Sequence, residues 1–97
     1  MIIVSQDKTK IVNFDNLTQI YITQDEEEKS YFIRYETVDS LYDDLGEYKT
    51  EERAKEVLIG IMQSYLDSEN YKYVNQLMTA QELDRLQDGL VYEMPKE

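Results

Sequence analysis

Residues 50–66 carry the most regular hydrophobic pattern in the 97-residue chain, and this pattern limits the possible folds more than any other feature. Thr50 is a good N-cap residue, and Glu51 and Glu52 fall in the first turn, where the helix dipole favours negative charge. Apolar residues recur at helical spacing as one stripe, which consists of Ala54, Val57, Leu58, Ile61, Met62, Tyr65 and Leu66. A helix with one apolar stripe must bury it, so the rest of the chain has to supply a covering surface.

The segment before this helix is predicted to supply a sheet. Alternating apolar residues and polar turns predict four strands, over residues 2–4, 11–14, 17–23 and 31–35. Residues 38–48 fit either a helical turn, through Leu41, Leu45 and Tyr48, or a loop that leads to a short fifth strand over 45–49, and we favour the strand. Together these strands predict an antiparallel meander.

Three shorter elements are predicted after the helix, which should end in the polar residues 67–70. Residues 71–74 resemble a short strand, a capping box opens a second helix over 79–88, and residues 90–94 form a last strand. The predicted fold class is α+β, with an antiparallel sheet of about four to six strands and two helices packed on one face. A chain of this size is expected to form a single domain.

The chain contains neither cysteine nor histidine, which limits the chemistry available to it. Disulfides, cysteine zinc sites and catalysis that depends on a histidine base are therefore excluded. The three glycines are isolated, so no phosphate-binding loop of the Walker or dinucleotide type can form. Neighbouring acids lack the alternating spacing of a calcium-binding loop. We predict a binding protein rather than an enzyme, with no cofactor and no metal.

The formal net charge of −11, from 21 acids and 10 bases, indicates what kind of partner such a protein would bind. Direct binding to nucleic acid or to an anionic membrane is disfavoured, because both interactions gain from lysine and arginine. A basic protein surface is the natural complement. The amino-terminal residues do not resemble a signal peptide and no apolar run could span a bilayer, so we predict a cytoplasmic location.

The densest acidic stretch runs from the 25–28 loop to the start of the 50–66 helix, and nine tyrosines are spread along the chain. Tyrosine combines a large contact area with a polar tip and is enriched at binding surfaces, although strand tyrosines can equally cap a small core. Likewise, the acids can form an interface or simply keep the protein soluble. The predicted partner-binding residues are Asp25, Glu26, Glu27, Glu28, Asp39, Asp43, Asp44, Glu47, Glu51, Glu52, Tyr71 and Tyr73.

Most of the chain resembles a group of small proteins encoded by phages and integrated elements of low-GC Gram-positive bacteria. The resemblance lies in the opening Ile3-Val4-Ser5-Gln6-Asp7-Lys8 with Val12-Asn13, in residues 45–58, and in the ending Tyr92-Glu93-Met94-Pro95. It implies an accessory protein that counters host defence in the cytoplasm of a host bacterium. Many such proteins look like type II anti-CRISPR inhibitors, which are short, acidic and directed at the basic nucleic-acid channel of Cas9.

The leading hypothesis is therefore a non-enzymatic inhibitor whose acidic surface competes with nucleic acid for a basic host protein, with Cas9 or another nuclease as the candidate. One alternative is a sponge that sequesters a nucleotide immune signal through Arg34, Arg53 or Arg85 beside tyrosines. The other is a structural module that forms a homodimer by pairing strands at a sheet edge.

Overall fold

A computed structural model describes residues 1–74 and 91–97 of the chain, and it describes side chains for residues 1–70 and 91–97. This part contains six strands, one α-helix and a 3-10 turn at Phe14–Asn16. The strands are β1 (Ile2–Val4), β2 (Ile11–Asn13), β3 (Leu17–Asp25), β4 (Ser30–Thr37), β5 (Tyr42–Tyr48) and β6 (Val91–Glu93). The helix, α1, spans Glu51–Val74.

The strands form two three-stranded sheets. The large sheet has the order β3-β4-β5 and is antiparallel throughout. The small sheet has the order β2-β1-β6, in which β1 and β2 are antiparallel and β1 and β6 are parallel. The fifth predicted strand is confirmed, with the longer bounds of β5.

The predicted single antiparallel sheet with two helices on one face is wrong. The 3-10 turn at Phe14–Asn16 separates β2 from β3, so the first hairpin does not continue into the meander. The long connection through α1 then returns the chain beside β1 in the parallel sense, as a crossover connection permits. The predicted second helix, over 79–88, lies outside the described residues.

The predicted end of α1 at 67–70 and the predicted strand over 71–74 are also wrong, because α1 continues to Val74. Ser68, taken as part of a helix-ending polar run, is fully buried, and its hydroxyl donates a 2.7 Å hydrogen bond to the Tyr65 carbonyl. Such a bond to the preceding turn satisfies the serine hydroxyl without leaving the helix.

The core lies where α1 covers one face of the large sheet and meets the small sheet. Its buried members come from all of these elements: Met1, Ile3, Ile33, Leu45, Tyr48, Ala54, Val57, Ile61 and Met94. Tyr48 joins the carboxy-terminal segment to this core, because its hydroxyl donates a 2.8 Å hydrogen bond to the Pro95 carbonyl.

Gly60 provides a close contact between α1 and β6. A Cβ atom at this position would lie 2.9 Å from the Tyr92 hydroxyl oxygen, which is shorter than a normal contact. The glycine therefore allows β6 to approach the helix, at a cost in helix propensity of about 1 kcal/mol relative to alanine.

We expect Gly60→Ala alone to leave the free energy of unfolding unchanged or to lower it, because the propensity gain is offset by the clash with Tyr92. In a Tyr92→Phe background, which lacks the obstructing oxygen, the same change should stabilise the fold by up to about 1 kcal/mol. Urea unfolding of the four proteins in this double-mutant cycle measures the coupling. Equal effects of Gly60→Ala in both backgrounds would show that the contact imposes no constraint.

Candidate functional site

One end of the molecule collects most of the predicted acidic residues. The β3–β4 hairpin turns at this end, and β5 returns to it before α1 begins, since Tyr31 pairs with Gln24 on one side and with Tyr48 on the other. A cleft of about 550 Å³ separates the hairpin from the first turns of the helix, and its charged lining residues are Glu51, Glu52 and three lysines, Lys29, Lys49 and Lys55. The acidic end is defined by Asp25, Glu26, Glu27, Glu28, Glu47, Glu51 and Glu52.

Local hydrogen bonds hold the hairpin of the acidic end in shape. The Asp25 carboxylate accepts a 2.9 Å hydrogen bond from the Glu27 N–H, and the Lys29 N–H donates to the Asp25 carbonyl at 2.8 Å. Lys29 has a left-handed φ of 56°, which closes the turn. On β5, the Glu47 carboxylate accepts a 2.7 Å bond from the buried Ser30 hydroxyl. This arrangement fixes the backbone while Glu26, Glu27 and Glu28 remain exposed.

Few of these carboxylates are neutralised by neighbouring cations. Glu51 forms an exposed ion pair with Lys55 at 3.0 Å, and such surface pairs contribute little to stability. Glu26, Glu27, Glu28 and Glu52 make no ion pair with any residue of the described part of the chain. The acidic end therefore presents exposed negative charge on a fixed backbone.

The other three predicted acids lie at the opposite end of the large sheet, near the β4–β5 connection. Asp43 pairs with Lys10 at 3.0 Å, and this hydrogen bond lowers the pKa of the Asp43 carboxyl. Asp44 pairs with Arg34 at 2.8 Å, whereas Asp39 is exposed in the connecting turn. The sequence run 39–52 is therefore divided by the fold, and its Asp43 and Asp44 charges are compensated.

The two predicted tyrosines, Tyr71 and Tyr73, fall in the last turns of α1 rather than in a strand. Positions two apart share a face in a strand but not in a helix. The argument that placed them together on one surface therefore does not hold.

Two of the three arginines considered for nucleotide binding are already paired with carboxylates. Arg34 pairs with Asp44 and lies 4.9 Å from the Tyr42 ring centroid. Arg53 pairs with Glu56 at 3.0 Å and donates a 2.7 Å bond to the Glu97 carbonyl. Arg85 lies outside the described residues. This pairing weakens the argument for a nucleotide sponge.

Sequence reasoning did not identify the polar network on the outer face of the large sheet, the face opposite α1. Glu36 accepts hydrogen bonds from Gln19 at 2.7 Å and from the Tyr21 hydroxyl at 3.2 Å. Partial burial, followed by the bond to Glu36, raises the pKa of Tyr21. The alternation of polar and aromatic residues along β3 and β4 was the available signal, but it did not specify which side chains pair.

The described residues contain no cluster of three or more acidic side chains that could hold a metal ion. No described helix is long and apolar enough to cross a membrane. Comparison of the chain with protein-family models, with curated proteins and with solved structures finds no match.

Proposed function

We propose that the chain is a non-enzymatic inhibitor that binds a basic host protein through its acidic end and competes there with nucleic acid. The supporting observation is the convergence of the β3–β4 hairpin and the start of α1 at one end of the molecule. Residues 24–31 and 47–56 contain eight acids and four bases, a net charge of −4, mostly on exposed side chains.

The chemistry of such a surface suits a site that normally binds phosphates. A nucleic-acid channel holds its ligand by positive charge, and a fixed array of carboxylates can occupy the same positions. Electrostatic attraction also speeds association with a basic surface. The resemblance to small phage-encoded proteins makes a host nuclease such as Cas9 the first candidate partner.

Competition with DNA tests this proposal. In the first experiment, a purified Cas9–guide complex is loaded with a fluorescent duplex that carries a PAM and is then titrated with the chain. In the second, the chain is immobilised on beads and incubated with host lysate. We expect the duplex to be displaced, and we expect proteins retained from the lysate to be released by an excess of DNA.

Salt provides the internal control of the competition assay, because binding through exposed charges weakens as ionic strength rises. The chain alone should not bind the duplex at any salt concentration. Retention of no DNA-releasable protein, together with no displacement from Cas9, would contradict the proposal.

A further inference from the structure

Strand β3 forms a free edge of the large sheet. It pairs with β4 along one side, and no backbone group in the described part of the chain pairs with its other side. Edge strands are normally protected by lysine, proline, a bulge or short length. With nine residues β3 is the longest strand described, and it contains no lysine, proline or glycine. Its one irregularity, between Leu17 and Gln19, leaves the rest of the edge regular.

The sequence of β3 is complementary to itself in the antiparallel sense. About a centre at Tyr21, Ile20 would face Ile22 of a second copy, and Gln19 would face Thr23. From Thr18 to Gln24 each apolar residue meets an apolar one and each polar residue a polar one. Residues 17–24 carry no charge at all, although the whole chain has a net charge of −11. This edge is therefore a surface on which two copies can meet without facing like charges.

An apolar groove lies beside β3 on the side of the sheet that faces α1. It encloses about 300 Å³, and its lining is formed by Phe14, Ile20, Leu58, Ile59, Ile61, Met62 and Tyr65. Ile59 and Met62 are 50% and 54% exposed, and Ile20 and Ile22 are only half-buried although they face the helix side. Among the described residues, the hydrophobic surface is therefore incomplete at the same edge that lacks a strand partner.

We propose that β3 pairs with β3 of a second copy about a two-fold axis at Tyr21, which makes one six-stranded antiparallel sheet with the two apolar grooves at the seam. A second copy fits this edge better than a basic partner does, because residues 17–24 offer no carboxylate to a cation. Pairing would satisfy the backbone groups of β3 that have no partner in the described part of the chain, and it would remove apolar surface from water.

The same geometry keeps the two acidic ends apart. Asp25 of each copy would lie opposite Leu17 of the other, so the two hairpins would point in opposite directions. The Asp25 residues would be about 27 Å apart along the strand direction, beyond the Debye length of about 8 Å at physiological salt. A dimer would therefore present two separate acidic ends, and a partner with two basic sites would bind it with increased avidity.

Two variants that differ only at position 23 test the pairing. Gln19→Lys combined with Thr23→Lys places like charges opposite each other twice across the interface, whereas Gln19→Lys combined with Thr23→Glu places opposite charges there. In both variants the lysine at position 19 has a favourable neighbour in Glu36. In the wild-type chain the Glu36 carboxylate accepts a hydrogen bond from the Gln19 side chain. Circular dichroism spectra and thermal unfolding verify that the two variants are equally folded.

We expect the wild-type chain to sediment at equilibrium with twice its mass of 11.6 kDa. The dissociation constant of the dimer should rise about tenfold or more in the like-charge variant and return toward the wild-type value in the opposite-charge variant. A wild-type chain that remains monomeric across the concentration series would overturn the proposal. A dimer equally stable in both variants would also overturn it, because the interface would then lie elsewhere.

Discussion

Replacement of Tyr48 by alanine is expected to lower the free energy of unfolding by about 3–5 kcal/mol, as found for large aromatic side chains removed from a core. Tyr48 is 2% exposed and packs among residues of both sheets and α1. For a chain of 97 residues this loss is a large part of the total stability, so the variant should be partly unfolded at 25 °C. Urea unfolding followed by circular dichroism measures the effect.

Tyr48→Phe separates the hydrogen bond from the packing of the ring. Loss of the hydroxyl leaves the Pro95 carbonyl without its 2.8 Å donor and should cost about 1 kcal/mol. An effect of Tyr48→Ala no larger than that of Tyr48→Phe would show that the ring does not support the core.

The pH dependence of the free energy of unfolding, compared between wild type and Tyr48→Phe, gives a second measurement. Burial raises the pKa of Tyr48 from 10.0 to about 12, so the folded state keeps the hydroxyl protonated after the unfolded state has begun to ionise. The stabilisation is complete below pH 10 and is lost as the pH rises from 10 toward 12. The stability difference between wild type and Tyr48→Phe should therefore shrink over this range.

Local patterns in the sequence predicted individual elements better than their assembly. The alternation in β3 and β4, and the N-cap with two acids at the start of α1, depend on neighbouring residues and were read correctly. The pairing of β6 with β1 joins residues about 90 positions apart, and no local pattern encodes it. Separation into two sheets depends on that pairing and on the 3-10 turn after β2.

The apolar stripe of α1 was predicted too wide. Ala54, Val57 and Ile61 are buried as expected, whereas Met62 and Leu66 are 54% and 53% exposed. Helical periodicity identifies residues that share a side of a helix, but the width of the covering surface decides which of them are buried. Met62 lies in the groove beside the free β3 edge, so its exposure coincides with the place where the sheet ends.

The sequence identified the acidic residues of the candidate site but not their arrangement in space. The acids at 25–28 and at 51–52 are far apart in sequence. They lie at the same end of the molecule only because β4 and β5 return the chain to the hairpin end. Asp43 and Asp44 are adjacent to this stretch in sequence but lie at the other end, paired with Lys10 and Arg34. A count of charges along the chain cannot distinguish these two groups.

Charge reversal at the acidic end is expected to have the largest effect on partner binding. The triple variant Glu26→Lys, Glu28→Lys and Glu52→Lys changes three exposed side chains without ion pairs in the described part of the chain. We expect it to weaken binding to a basic partner by about a hundredfold, since close charge pairs across an interface contribute on the order of 1 kcal/mol or more each. The control reverses three exposed acids outside the acidic end, Asp39, Asp67 and Glu93, of which Glu93 forms an exposed 3.6 Å ion pair with Lys8.

The most direct test of the proposed function is the dissociation constant of the Cas9–guide complex, or of a DNA-releasable protein recovered from lysate, for these three chains. Both triple variants have the same net charge of −5 in place of −11, so any difference between them reflects position and not total charge. The account predicts about hundredfold weaker binding for the acidic-end variant and less than about threefold for the control. Equal weakening of both variants, or of neither, would contradict it.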